Sequence, residues 1–215
     1  MKALLRKEFT LSLFPLPYCF WLLAGLLLIP NYPYFVTFFY ATLGVMFLFQ
    51  YNRENRDLNY MMTLPITKGQ MVKARVVQTA AIELGMLVVC LPFMAVRGLY
   101  SFLNNQVGFE ANLALLGLGA AQLGLFNLIF LPGFYRDGRS IGLPFLFGSL
   151  AQAVYMLAME ILLRIAPYFA RWCDRMDLAA QLHQLPVLAV GLAVYALLTL
   201  WALRISIRRF VRIDL

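Results

Sequence analysis

Along the chain, long apolar runs alternate with short polar stretches, and the runs approach the length of membrane-spanning helices. A helix crosses the hydrocarbon of a bilayer with about 20 apolar residues. We therefore predict an all-α integral membrane protein in which residues 1–215 form one transmembrane domain. The six predicted spans are Leu16–Ile29, Tyr34–Tyr51, Val76–Val96, Ala111–Leu131, Ile141–Ile165 and Val187–Ala202.

Three segments outside these spans have a polar or amphipathic pattern. Residues 1–14 place Leu5 and Phe9 one helical turn apart, which predicts an N-terminal helix lying in the membrane interface. Residues 52–75 form a charged segment, broken by proline, between the second and third spans. Residues 166–186 separate apolar from charged positions at helical spacing, and we predict an amphipathic loop on the extracellular side.

The composition excludes an ordinary soluble domain, and the placement of charge predicts the orientation. Hydrophobic residues make up 62% of the chain and charged residues 13%, against about 45–50% and 25% in soluble domains. With six spans, 14 of the 18 lysines and arginines fall on the side of the two termini. Because cytoplasmic loops are rich in Lys and Arg, we predict that both termini are cytoplasmic. We expect a multi-pass protein of a bacterial plasma membrane.

The net charge of +8 fits this topology and indicates contact with anionic membrane lipids. A basic chain without a soluble domain to display its charge is not typical of nucleic-acid binding, so we expect membrane lipids and no nucleic acid among its partners.

Two acidic residues lie inside the predicted spans, where ionisable groups are costly and commonly face a bundle interior or a cavity. Glu160 is four residues before Arg164, a spacing that favours an ion pair along one helix. Glu83 has no such neighbour. For both residues we keep two interpretations, a role in the substrate path or in gating and a structural role in joining helices.

The sequence does not indicate an enzyme. Intramembrane catalysis needs paired carboxylates, a histidine cluster or an activated serine, and the spans contain no such set. The chain has a single histidine, which argues against a zinc site. We therefore predict no catalytic residues and no metal ligands.

Residues 52–75 have the most specific local pattern. Pro65 ends a short helix within "LNYMMT" because proline lacks a backbone donor and restricts the residue before it. Thr67 and Gln70 have the spacing of a capping box, which starts a new helix that continues into the third span. Apolar residues such as Tyr60 and Met61 beside charges are typical of a docking surface. The alternative is an ordinary loop packed on lipid headgroups.

The segment "RDLNYMMTLPITKGQMVKARVV" resembles the stretch between the second and third spans of ABC-2-type permeases, particularly the small six-span family that includes exporters of phenol-soluble modulins and related peptides. That family has an acidic residue before a short coupling helix, then a Leu-Pro-Ile-Ser/Thr-basic corner and a valine in the next helix. Arg75 departs from the lysine expected there. The matching positions are Glu54, Leu64, Pro65, Ile66, Thr67, Lys68 and Val72.

The resemblance implies a transmembrane subunit whose coupling helix fits a cleft in a separate ABC ATPase subunit, present in two copies and binding ATP and Mg. The sequence agrees, because it contains no G-x-x-x-x-G-K-[ST] phosphate loop. A second permease subunit, identical or different, is also implied. The residues expected to couple to the ATPase are Glu54, Arg56, Asp57, Tyr60, Met61, Leu64, Pro65, Ile66, Thr67 and Lys68.

The resemblance also implies a substrate class. An amphipathic or antimicrobial peptide is the first choice for export. The alternatives are export of a lipid or a hydrophobic drug, and a non-transporting membrane scaffold or sensor.

Overall fold

A computed structural model describes residues 2–10, 16–99, 105 and 107–212 of the protein. Within these residues the regular structure is entirely helical, as predicted. Of the interfacial helix predicted for residues 1–14, Met1 and residues 11–14 lie outside the described part. The helices are α1 (Lys2–Thr10), α2 (Leu16–Cys19), a 3₁₀ helix (Phe20–Leu28), α3 (Phe35–Glu54), α4 (Asp57–Met62), α5 (Lys68–Leu99), α6 (Leu113–Phe134), α7 (Gly142–Ile165), α8 (Pro167–Cys173) and α9 (Leu178–Val211).

Five of the described helices, α3, α5, α6, α7 and α9, are long and apolar enough to cross a membrane. They correspond to the second to sixth predicted spans, although α5 and α9 extend beyond the predicted bounds. The predicted outer loop 166–186 accordingly contains α8 and the first turns of α9. Pro186 lies inside α9 without ending it.

The first predicted span, Leu16–Ile29, is not one continuous α-helix. Four α-helical residues are followed by nine residues in 3₁₀ conformation. Because a 3₁₀ helix rises about 2.0 Å per residue against 1.5 Å in an α-helix, these residues together reach about 24 Å. The segment packs on α5, where the Trp21 indole N–H donates to the Ile82 carbonyl oxygen at 2.9 Å. A Cβ at Gly85 would lie only 2.3 Å from the Trp21 ring.

The helices α6 and α9 approach each other closely, and glycines allow the approach. A Cβ at Gly117 would lie 2.6 Å from the Val187 carbonyl oxygen, and one at Gly191 would lie 2.0 Å from the Gly117 oxygen. Small residues let transmembrane backbones meet in this way. The helix α6 is the most buried of the long helices in the described part and forms the centre of the bundle.

Two groups of contacts define the ends of the bundle. At what we call the α4 end, α1 and α4 meet through Lys7 and Asp57, and Arg209 of α9 donates to the Pro132 carbonyl oxygen of α6 at 2.8 Å. At the α8 end, the Asn105 side chain donates to the Tyr32 carbonyl oxygen at 2.9 Å. The chain from α1 to Tyr32 therefore runs from one end of the bundle to the other.

Candidate functional site

The corner between α4 and α5 has the predicted geometry. The Thr67 backbone N–H donates to Gln70 Oε1 at 3.0 Å, and the Gln70 backbone N–H donates to Thr67 Oγ1 at 3.3 Å. This reciprocal pair confirms the capping box, and α5 begins at the next residue, Lys68. Since α5 continues unbroken to Leu99, the corner is the terminus of a membrane-spanning helix. A displacement of the corner therefore displaces the membrane-spanning helix α5.

The start of α4 is held by charge. Arg56, just before the helix, has φ 52°, in the left-handed region that few non-glycine residues adopt. Asp57, the first residue of α4, makes ion pairs with Lys7 of α1 and Arg75 of α5. Its carboxylate thus joins three helices instead of capping one.

A buried ion-pair cluster lies behind α4, and we define it as Lys7, Glu8, Asp57, Arg75 and Gln78. The Arg75 guanidinium lies between two carboxylates, with Nη2 hydrogen-bonded to Asp57 and Nη1 in an ion pair at 3.1 Å from Glu8 Oε2. Glu8 is 0% exposed and Arg75 is 4% exposed. Gln78 accepts from Arg75 at 3.1 Å and donates to the Glu8 carbonyl oxygen at 2.8 Å. The two acids and two bases balance one another.

This geometry gives a physical reason for arginine at position 75. A guanidinium has a planar fork that bonds two carboxylates at once, whereas a lysine ammonium is a single point charge. The Arg75 guanidinium also lies 6.0 Å from the centre of the Phe49 ring, within the range of a cation–π contact. The sequence did not indicate that Arg75 contacts Glu8 and Asp57, because both acids are distant from Arg75 along the chain and no local spacing links them.

The residues predicted to couple to a partner differ in their exposure. Tyr60 is exposed on α4, with 55% of its surface accessible, and so is Met62, which was not among the predicted residues, with 37%. Met61 between them is 1% exposed and packs in the core at the α4 end, so it presents no surface to a partner in this structure. Glu54, Arg56, Pro65 and Thr67 are exposed, whereas Leu64, Ile66 and Lys68 are half-buried.

Comparison with known protein families adds the deciding observation. The family model described as "ABC-2 family transporter protein" matches residues 3–210. The chain belongs to the ABC-2 transporter family. It is thus a membrane permease of a type that works with an ATPase subunit and is not itself the ATPase. No curated protein and no solved structure matches the chain.

Glu83 of this ABC-2 permease joins three spans. Its Oε2 accepts from Asn127 Nδ2 of α6 at 2.6 Å and from the Tyr195 hydroxyl of α9 at 2.8 Å. Asn127 also donates to Thr199 at 3.2 Å. The side chain is 0% exposed. These hydrogen bonds fit the structural interpretation of Glu83, while its role in gating stays a prediction.

Glu160 does not form the expected ion pair with Arg164. The Arg164 guanidinium donates instead to the Val107 carbonyl oxygen at 3.2 Å. A Cβ at Gly108 would lie 2.4 Å from Glu160 Oε1, so the carboxylate lies against the backbone of the same loop. Both carboxylate oxygens are buried beside this loop. The prediction failed because this loop, distant along the chain, offers Arg164 a better-placed acceptor than its helical neighbour.

The α8 end of the permease has a second polar cluster, which the sequence did not indicate. Arg97 Nη2 lies 3.9 Å from Glu110 Oε2, and the Glu110 backbone N–H donates to Asp174 Oδ1 at 2.8 Å. Burial raises the pKa of the Asp174 carboxyl because desolvation disfavours its charged form. Asn112 donates to the Cys173 carbonyl oxygen at 2.7 Å. These contacts fasten the connection before α6 to α8.

Proposed function

We propose that this permease is the transmembrane subunit of an ABC exporter that couples ATP hydrolysis by two copies of a separate ATPase subunit to export of a substrate. ATP and Mg are bound by those subunits, and this chain carries no cofactor. The observation that best supports this proposal is the geometry of α4. The helix exposes Tyr60 and Met62, and the ion-pair cluster joins it to α1 and α5.

The ion-pair cluster supports a coupling mechanism. Asp57 fixes α4 to two other helices, so a partner that pushes on α4 pushes on all three. Because α5 runs from the corner into the membrane, the push reaches the transmembrane bundle without passing through a flexible loop. In the proposed cycle, the ATPases close around nucleotide, displace the corner and shift the spans so that the substrate leaves outward.

The same contacts support the proposed topology. The α4 end faces the cytoplasm in this proposal, because most of the basic residues lie there. The segment Leu16–Leu28 lies between α1 at the α4 end and Tyr32 at the α8 end, which supports counting it as a crossing, the first along the chain, in addition to the five long helices. An even number of crossings leaves both termini cytoplasmic in the plasma membrane.

An amphipathic or antimicrobial peptide is the proposed substrate, on the resemblance to the peptide-exporting family. A second permease subunit, identical or different, completes the transporter. Export of a lipid or hydrophobic drug, and a non-transporting scaffold or sensor, remain the alternatives.

The deciding experiment compares two tyrosines at opposite ends of the bundle. Tyr60→Ala removes the exposed aromatic group of α4. We expect the binding free energy of the ATPase subunit to weaken by about 1–3 kcal/mol, the range for a central anchor. Co-purification of the ATPase subunit and export should both fall. Tyr168→Ala is the matched control, since Tyr168 is 80% exposed on α8. Should both variants retain the ATPase and export normally, α4 is an ordinary loop and the coupling assignment fails. A wild-type permease that recovers no ATPase would favour the scaffold.

A further inference from the structure

A small basic pocket lies at the α4 end of the bundle, between the end of α3, the start of α4 and the connection from α6 to α7. Its volume is about 190 Å³, below the range of about 300–1,000 Å³ typical of sites for drug-sized ligands. The pocket therefore suits a small chemical group and not a whole nucleotide. We call it the arginine pocket and define it by its lining residues, Arg53, Arg56, Leu58, Asn59, Gly138 and Arg139.

Three arginines bring positive charge to this pocket, and no acidic residue stands among the described residues of its wall. Arg53 Nη1 donates to the Arg139 carbonyl oxygen at 3.4 Å, which holds the end of α3 against the connection before α7. None of the three guanidinium groups forms an ion pair with a carboxylate in the described part of the chain. Because like charges around one pocket repel one another, an anion between them would stabilise the arrangement.

The acidic residues nearest to these arginines along the chain have other partners. Glu54 accepts from Gln50 at 3.1 Å, and Asp57 belongs to the ion-pair cluster behind α4. Asp137 Oδ1 accepts from two backbone N–H groups of its own loop, at 2.9 Å each. The arginines of the pocket are therefore available to an anion from outside the chain.

The pocket lies at the depth of the lipid headgroups. Arg53 is two residues beyond Tyr51, where the second predicted span ends, and Arg139 is two residues before Ile141, where the fifth begins. At 1.5 Å per helical residue, Arg53 stands about 3 Å outside the hydrocarbon, and a headgroup layer is about 5–8 Å deep. The anions that a membrane supplies at this depth are the phosphates of its acidic lipids.

Arginine suits this group, because its planar guanidinium can donate two parallel hydrogen bonds to one phosphate. We propose that the arginine pocket binds the headgroup phosphate of an anionic phospholipid such as phosphatidylglycerol. The phosphate accepts from arginines of α3, of the turn before α4 and of the connection before α7, so the lipid fastens the start of α4 to two spans. Leu58, half-buried in the same wall, offers an apolar surface to the glycerol carbons. The site needs only membrane lipid and does not rest on the proposed exporter.

Native mass spectrometry of delipidated permease, titrated with phosphatidylglycerol, tests the site without the ATPase. We expect one lipid to bind saturably, and phosphatidylcholine, which carries a positive amine beside its phosphate, to bind more weakly. The double variant Arg53→Gln/Arg139→Gln should bind phosphatidylglycerol about thirtyfold more weakly, since each arginine beside an anionic lipid contributes about fivefold. Arg204→Gln/Arg208→Gln is the matched control and should bind as the wild type does. It removes the same charge from exposed positions of α9 outside the pocket.

Two single variants of Asn59 keep the test decisive if the double variant does not fold. Asn59 is exposed and lines the pocket. Asn59→Asp hardly changes the side-chain size but adds negative charge, so it should weaken phosphatidylglycerol binding about fivefold. Asn59→Ala removes the same amide without adding charge, and its affinity should stay within about twofold of the wild type.

Inorganic phosphate distinguishes a lipid from a free anion. At millimolar concentration it should not displace phosphatidylglycerol, because it lacks the acyl chains that hold the lipid beside the protein. Displacement would overturn the lipid assignment and leave a free phosphate group as the ligand. Equal affinities of the two double variants would show that no defined pocket binds the lipid. If Arg53→Gln/Arg139→Gln loses co-purification of the ATPase but keeps lipid binding, the arginines contact a protein partner and the lipid site is refuted.

Discussion

At the α4 end the carboxylates of Glu8 and Asp57 share the guanidinium of Arg75, whereas at the α8 end the carboxylate of Asp174 accepts from the backbone N–H of Glu110. The first arrangement balances charge against charge, so neutralising one member leaves unbalanced charge at a buried site. The second holds a carboxyl by a hydrogen bond that an amide side chain can also accept. The same isosteric substitution should therefore destabilise the protein strongly at the α4 end and only slightly at the α8 end.

The largest effect is expected for Glu8→Gln. The substitution keeps the side-chain size but leaves positive charge of Lys7 and Arg75 in excess at a buried site. Breaking a buried ion pair costs about 3–5 kcal/mol, which thermal unfolding of the purified permease would measure. Glu54→Gln is the matched control, because Glu54 is exposed and its side chain bonds to Gln50 at 3.1 Å. A surface change of this kind stays within about 0.5 kcal/mol. Equal stability of the two variants would show that the cluster is not charge-paired.

Arg75→Lys should have an intermediate effect. Lysine keeps the charge but not the fork that contacts Glu8 and Asp57 together. We expect a loss of about 1.5–3 kcal/mol in the free energy of unfolding, the range for one charge-assisted hydrogen bond. If the proposed coupling is correct, the same variant hydrolyses ATP with less export. If Arg75→Lys has the same free energy of unfolding as the wild type, stability does not depend on one side chain that contacts Glu8 and Asp57 together.

Glu83→Gln should fold nearly normally, because glutamine keeps an oxygen that can accept from Asn127 and Tyr195. We expect a loss of at most about 1 kcal/mol, the net value of a typical hydrogen bond, measured by unfolding and by membrane expression. Export then distinguishes the two interpretations of this residue. Lost export with normal expression would assign Glu83 to gating or the substrate path, and unchanged export would assign it to helix packing.

The smallest effect concerns pH and Asp174. Because burial raises its pKa, the folded protein holds the Asp174 proton to higher pH than the unfolded chain does. The contribution to stability is thus full below the unfolded pKa of about 3.9 and is lost as pH rises through the folded value. Asp174→Asn keeps the oxygen that accepts from Glu110 and removes the ionisation. Between pH 4 and 7 its unfolding temperature should fall less than that of the wild type, and an equal or larger fall would contradict this account.

Local sequence patterns predicted local structure well. The Thr67–Gln70 spacing predicted a reciprocal cap that the structure contains, because all its partners lie within four residues. The apolar runs similarly predicted α3, α6 and α7. The Glu160–Arg164 spacing predicted a pair that does not form, since helical spacing brings two side chains near each other but does not exclude a third partner.

Contacts between distant segments were beyond sequence reasoning. The ion-pair cluster joins Glu8 to Arg75 across α1 and α5, and no periodicity links those positions. The burial of Met61 depends on which face of the short α4 meets the core at the α4 end, a choice made by the neighbouring helices.

The length of α5 determines how far the corner stands from the lipid. Its 32 residues measure about 48 Å, while the hydrocarbon of a bilayer is about 30 Å thick. The apolar stretch predicted to cross, Val76–Val96, matches that thickness, so the eight residues from Lys68 to Arg75 extend the helix about 12 Å beyond it. Headgroup layers are about 5–8 Å deep on each side. In the proposed topology, the corner that begins α5 at Lys68 therefore stands beyond the headgroups, where a soluble protein can reach it without entering the membrane.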